Sequence, residues 1–253
     1  MKVVSKTVSF RLANKCLRAL AAAVLTLATI APAIAQTGGA QSAELQQKLA
    51  AVKQSAAENQ QKLHQYQWVE TTQLTLKGEA KQPTQSLCKY GPDGKVQKTP
   101  MGSPVPPPAP SGGRLKQKII AKKTGEMKDY MGQVKTLIGL YVPPDPQRMQ
   151  QASEAAKVSL NATADAPTAG LTFKDYAQPG DQMTIAFNTV ARKIASLSVN
   201  TYEGDTKNVV TLAVQFSTLP DGTNYVSQTV LVATAKNLQV TTTNSNYQLV
   251  TTP

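Results

Sequence analysis

The sequence predicts an α+β fold, a curved antiparallel β-sheet with an N-terminal helix and two central helices covering its apolar face. Three observations predict it. Apolar residues recur at helical spacing in two stretches, 41–65 and 114–141, and alternate with polar residues through much of the remainder. From Val158 onward the alternating runs are short and separated by the turn sequences PGD (179–181), YEGD (202–205) and LPDG (219–222), the pattern of a meander with one apolar face. Residues 36–98, finally, offer one helix and about three strands, too little apolar area to fold alone, so the early strands need the later sheet.

The first element is a leader. Lys2, Lys6, Arg11, Lys15 and Arg18 precede the uncharged run ALAAAVLTLATI, and small residues follow at Ala33 and Ala35. That is the layout of a secretory signal peptide cleaved after Ala35. Its apolar run of twelve residues is short of the roughly 20 that span a bilayer. The expected organisation is therefore a signal peptide, 1–35, and a single α+β domain, 36–253, in the periplasm or secreted. Cys16 precedes the apolar run and leaves with the leader, so the exported chain is not lipidated there. Cys88 is then alone, which excludes an internal disulfide. It is read as a small buried thiol in a strand, with an intermolecular disulfide or reactive thiol as the alternative.

Within 41–65, Leu45, Leu49, Val52, Ala56 and Leu63 define one helix face, and Ser42 is placed to cap its start. At Gln67 the period changes to two: Trp68, Thr72, Leu74 and Leu76 alternate with Val69, Thr71, Gln73 and Thr75, a strand. LCKY and KVQK flank GPDG as a hairpin. A proline-rich insertion, 99–113, holds six prolines in fifteen residues and reads as a semi-rigid spacer, ~3.1 Å per residue where extended. After it, Leu115, Gln117, Ile119 and Ala121 alternate with lysines as an edge strand would. Beyond Gly125, however, Met127, Tyr130, Met131, Val134, Leu137, Ile138 and Tyr141 keep helical spacing, which favours one long helix with Gly125 as a possible break. Pro143 and Pro144 stop it, Asp145 caps the next helix, and Pro146 opens a run to Lys157.

The strands that follow alternate Met183, Ile185 and Phe187; then Val210, Leu212, Val214 and Phe216; then Val226, Val230 and Val232; then Leu238 and Val240. Counted with the early strands they make a sheet of about nine, its apolar face covered by the three helices. Ala213, Val214, Val230, Val232 and Val240, read as inward, are small, and the chain has few aromatics to fill a curved interior. Either a cavity remains, wide enough for a lipid chain, or the helices fill it.

Net charge is +12, but five of the 27 Lys and Arg belong to the leader, leaving 22 against 15 acidic residues. Residues 89–135 contain ten of those cations and only Asp93, Glu126 and Asp129, so they hold the whole remaining excess. Arg114, Lys116, Lys118, Lys122 and Lys123 are its centre, a candidate contact for an anionic membrane surface or an acidic envelope protein, or else a solvated helix face. Export and the lack of interleaved aromatics argue against nucleic acid. Catalysis finds no constellation. His64 is the sole histidine, one histidine and one remaining cysteine make no zinc or haem set, and no G-x-S-x-G elbow occurs. The acid pairs Glu203 with Asp205 and Asp175 with Asp181 flank Gly or Pro and read as turn formers. Asn161-Ala162-Thr163 matches a glycosylation acceptor, a pattern common by chance. No catalytic residue, metal or cofactor is assigned.

The order of elements, from a signal peptide through a helix leading into YQWVETTQLTLKG, a central pair of helices and a closing meander, resembles the LolA/LolB fold of periplasmic lipoprotein carriers. In that family an unclosed β-barrel holds acyl chains under a helical lid. The resemblance implies that the curved antiparallel sheet is an unclosed half-barrel with a central helical lid, and that Met127, Tyr130, Met131, Val134, Leu137 and Ile138 form the inner face of that lid over a lipid or acyl chain. It has a departure: the family latches its lid with an arginine on an early strand, and this chain has no Arg between Gln36 and Gly113. The alternative is a non-enzymatic envelope structural or interaction protein that uses its basic, proline-rich segment as the contact site. Nothing in the sequence fixes an oligomeric state.

Overall fold

A computed structural model describes residues 58–102, 113–142, 144–162 and 167–250. The expected signal peptide, most of the N-terminal helix and the prolines between 103 and 112 lie outside them. The described residues open with the end of a helix, 58–63. Then come β1 (Tyr66–Leu76), β2 (Glu79–Ala80), β3 (Thr84–Tyr90), β4 (Val96–Met101), α1 (Arg114–Ile138), α2 (Pro146–Glu154), β5 (Val158–Ala162) and β6 (Thr168–Lys174). The chain closes with β7 (Gln182–Asn188), β8 (Lys193–Tyr202), β9 (Val209–Thr218), β10 (Asn224–Ala233) and β11 (Leu238–Leu249).

All eleven strands lie in one antiparallel sheet, ordered β4-β3-β1-β11-β10-β9-β8-β7-β6-β5, with the two-residue β2 paired to β1. Nine were expected; the extra ones are short, β2 and the five-residue β5. The sheet does not close, for β4 and β5 are its two edges. The chain must therefore pass from one edge to the other between β4 and β5, and α1 and α2 make that crossing.

The hairpin at GPDG closes with Gly91 N–H on the Lys95 carbonyl (2.8 Å), and Gly94 takes φ +69, a conformation that costs glycine nothing. Pro100, assigned to the insertion, instead belongs to β4 together with Thr99, opposite Ser86 and Leu87. An edge strand accepts proline because one side of it has no ladder to complete. Helix α1 runs unbroken through Gly125, which settles the edge-strand alternative against itself. Asp145 caps α2 by accepting from Gln147 N–H (2.9 Å). That helix ends at Glu154, three residues before the expected Lys157. Ala156 turns left-handed (φ +54) and Lys157 N–H bonds back to the Ala152 carbonyl (2.8 Å), a Schellman-type stop.

One core lies between α1 and the sheet face that carries Phe173, Met183, Leu197, Val199, Val210, Leu212, Val214, Ala233, Leu238 and Val240. Val214 and Val240 point into it as expected, but Ala213, Val230 and Val232 do not. Val230 pairs with Ala213 and Val232 with Thr211, on the opposite face from Val210, Leu212 and Val214. The cause is a bulge between Val226 and Gln228, which adds one residue to β10 and exchanges its faces. Val226 is inward before the bulge, and Thr229, Leu231 and Ala233 are inward after it, opposite Val214, Leu212 and Val210. Among the described residues the cover is the second half of α1 with Ala152 of α2, rather than three whole helices.

Candidate functional site: the lid and the face beneath it

Five of the six residues expected on the inner face of the lid are buried against the sheet: Tyr130, Met131, Val134, Leu137 and Ile138. Val134 and Ile138 retain only 1% exposure each. Met127, one turn further out, is half-buried and packs on the same core. The spacing of three and four residues puts all six on one stripe, and the stripe faces aliphatic side chains of β8 to β11. Val134 and Ile138 share one core with Val210 and Val214, which are fully buried.

Two polar atoms in this apolar layer have no partner. Among the described residues, the buried side-chain oxygens without a hydrogen bond are Tyr130 Oη, on the lid, and Thr229 Oγ1, on the sheet opposite Val214. A buried hydroxyl left unpaired costs about 1–3 kcal/mol. Tyr130 lies toward one rim of the sheet: Lys236, in the turn between β10 and β11, has its Nζ 5.8 Å from the ring centroid. Burial, with a smaller contribution from the Glu203 carboxylate, raises the Tyr130 hydroxyl above the usual tyrosine range.

The far end of α1 is tied down. Tyr141, wholly buried, donates to Asp181 Oδ2 (2.5 Å) and receives from Thr201 Oγ1 (2.7 Å), which in turn accepts from Gln178 Nε2 (2.7 Å). Asp181 also accepts three backbone N–H groups of its own loop, from Tyr176 (2.5 Å), Ala177 (2.9 Å) and Gln178 (2.7 Å). Asp175 braces the same loop by accepting from Gly180 N–H (2.6 Å). Tyr176 completes the anchor with its Oη accepting from Asp145 N–H (2.5 Å), just before α2. Burial pushes the Tyr176 hydroxyl up to about 12 and raises that of Tyr141 as well, the latter helped by its bond to Asp181. The expected turn-forming role of Asp175 and Asp181 is what both do. Sequence reasoning missed that Asp181 also reaches Tyr141; a tyrosine just past the end of an amphipathic helix, at a stripe position, was the available signal.

The near end of α1 is bare. Arg114, Lys116, Lys118, Lys122 and Lys123 are all exposed, and Lys122 makes only a long contact to Glu126 (3.9 Å, i to i+4). Leu115, Ile119 and Ile120, between them, are 74%, 49% and 47% exposed. Lys98, counted with the same basic segment, is elsewhere. It reaches from β4 across β3 to a buried ion pair with Glu70 on β1, the two side chains 11% and 6% exposed. Glu70 shares the face of β1 that carries Trp68, Thr72 and Leu74 and is 5% exposed, a position that demands a counter-charge.

That pair borders an aromatic cluster at the other end of the same face. Trp68 stacks on Tyr247 (5.5 Å between centroids, 9° between planes), and Tyr90 lies between Trp68 (5.5 Å) and His64 (4.3 Å). Tyr247 is brought there by a second bulge, where β11 spends extra residues opposite Trp68 and Asn246 takes φ +54. Trp68 Nε1 donates to Asn244 Oδ1 (3.1 Å), and Asn244 Nδ2 to the Val226 carbonyl (2.9 Å). Cys88, on β3 opposite both Trp68 and Lys98, is fully buried, and burial raises its thiol to about 12. His64 is exposed, as read from sequence. No group of three or more His, Cys, Asp or Glu suited to a metal occurs among the described residues.

Neither a family model nor a curated protein matches the sequence. Several solved structures are similar to it. A DUF1329 family protein from Desulfovibrio piger is 9% identical, with 81% of this chain and 93% of that one covered, at a TM-score of 0.38. A LolA superfamily protein from Nitrosomonas europaea is 11% identical, with 79% of this chain and 94% of the other covered, at a TM-score of 0.35. What the chain itself shows is an unclosed antiparallel sheet with a few helices.

Proposed function

We propose that the protein is an exported, non-enzymatic carrier that shelters a lipid or other acyl chain between α1 and the covered face of the half-barrel. The observation that carries this reading is the pair of unpartnered hydroxyls, Tyr130 Oη and Thr229 Oγ1, in an otherwise apolar layer. A core meant only to be filled gains nothing from them, since phenylalanine and valine would pack alike and orphan no polar atom. An acyl chain with an ester or carboxyl end would use the aliphatic lining for the chain and the hydroxyls for its polar end. Entry requires the lid to lift, and the pinned end at Tyr141 and the bare end at Arg114 make the latter the end that moves.

A fluorescent fatty-acid probe tests the proposal. Wild-type protein takes it up saturably, Val134→Trp blocks uptake by filling the layer, and Tyr130→Phe weakens it about fivefold or more, in line with one lost hydrogen bond of ~1 kcal/mol. Equal uptake by all three proteins overturns the reading. One observation favours the alternative of an envelope interaction protein with a filled core: Val134, Ile138, Val210 and Val214 are each at most 1% exposed within a single core. On that reading the probe does not bind, and deleting residues 103–112 abolishes partner capture with the melting temperature unchanged.

A further inference from the structure

We propose that the first half of α1 is an interfacial helix that docks the protein on an anionic lipid bilayer, inserting Leu115, Ile119 and Ile120 among the headgroups. The stripe that buries the second half of α1 does not stop where the sheet does. Ile120 precedes Met127 by seven residues and Ile119 precedes Tyr130 by eleven, so both continue the line of the buried residues, yet they are 47% and 49% exposed. Leu115, one turn before Ile119, is 74% exposed. The same stretch carries Arg114, Lys116, Lys118, Lys122 and Lys123 and no acidic residue before Glu126. Isolated exposed aliphatics are ordinary; three on one side of a helix, within ten residues that also present five cations, are not.

The chemistry favours a bilayer over an acidic protein. Lys116 and Lys123 fall on the apolar stripe itself, where a flat protein partner would have to bury their ammonium groups. A bilayer interface accepts them, because the four-carbon stems lie along the acyl boundary while the charges rise to the phosphates. Residues 114–125 lie on a continuous helix and are ~18 Å long, enough to lie in the interface plane. This docking stands independently of what lies beneath the lid.

Vesicle flotation tests it, with protein purified from a bacterial periplasm and its intact mass checked, since an uncleaved apolar leader would bind bilayers on its own. The expected result is co-flotation with phosphatidylcholine vesicles containing phosphatidylglycerol, much weaker binding to phosphatidylcholine alone, and weakening from 50 to 500 mM salt. Each Lys→Gln change among the five cations lowers partitioning about fivefold. The triple change Leu115→Ser, Ile119→Ser, Ile120→Ser lowers it at least tenfold at either salt concentration. As a check that needs no loss of fold, an environment-sensitive dye on Ile120→Cys shifts to the blue on these vesicles, and one on Ala121→Cys, on the opposite side of the helix, does not. Absence of flotation overturns the proposal. So does binding that the lysine changes abolish and the triple serine change leaves intact, with neither dye shifting, because that is a charge contact of the kind an acidic protein would make. Neither outcome bears on uptake of the fatty-acid probe.

Discussion

The anchor at the end of the lid gives a prediction whose size follows from its hydrogen bonds. Tyr141→Phe removes one bond to a carboxylate and one from Thr201. It leaves Asp181 still accepting from Tyr176, Ala177 and Gln178, and Thr201 still accepting from Gln178. Every remaining acceptor keeps a donor and only the Thr201 hydroxyl proton loses its acceptor, so the expected loss is about 2 kcal/mol. Asp181→Ala is a different perturbation. It strands four donors at once, the Tyr141 hydroxyl and three backbone N–H groups, in a place where Asp181 is 2% and Tyr141 0% exposed. At ~1–3 kcal/mol for each buried donor left unpaired, with partial relief by loop movement, the loss is about 4–6 kcal/mol, a large part of the stability of a domain this size. Urea unfolding followed by the fluorescence of Trp68, far along the sheet, measures both at equilibrium. An Asp181→Ala loss no greater than that of Tyr141→Phe, or losses below ~0.5 kcal/mol for both, would refute the account of the anchor.

Three further outcomes are expected. Ile138→Ala opens a void beneath the lid beside Val210 and Val214 and costs about 2–4 kcal/mol in the same assay, while Leu115→Ala, at the bare end, costs less than ~0.5. Lys98→Ala leaves the Glu70 carboxylate buried alone and costs about 3 kcal/mol; pairing it with Glu70→Leu recovers most of that loss, which a double-mutant cycle reads directly. At high pH, the Cys88 thiol keeps its proton in the folded protein to about 12 against an ordinary 9.0, and burial likewise holds Tyr90 and Tyr176 protonated to about 12. Between these values the folded state binds more protons than the unfolded one, so stability is complete below pH 9 and falls as pH rises toward 12, as a series of urea midpoints will show; at pH 8 a thiol reagent reacts with Cys88 only after unfolding.

How far the fold was legible depended on whether local pattern and sheet geometry agreed. The strand at Tyr66–Leu76, the GPDG hairpin, the Asp145 cap and the long helix were each written in spacing or turn chemistry, and each formed where its residues pointed. What failed was the facing of β10. Val226, Val230 and Val232 look like a single stripe, but the bulge at Ser227 divides them between two faces, and nothing in the local sequence announces an inserted residue. Pro100 misled for the opposite reason: it reads as spacer because a central strand would reject it, and only an edge position makes it a strand residue. The lid stripe was visible as spacing, and the sheet buried most of it as expected. The unpaired hydroxyls and the Tyr141 anchor were not visible: the first follow from which elements cover Tyr130 and Thr229, the second from partners 40 and 60 residues away in sequence, and both are properties of the whole sheet.

The account rests on an acyl chain entering between α1 and the half-barrel, and native mass spectrometry of the protein purified from a bacterial periplasm tests that most directly. The predicted spectrum has a satellite of lipid mass on the folded protein, lost on organic extraction, recovered as lipid in the extract, and absent from Val134→Trp. A single peak at the mass of the polypeptide alone, from protein that also fails to take up an added fatty acid, contradicts it.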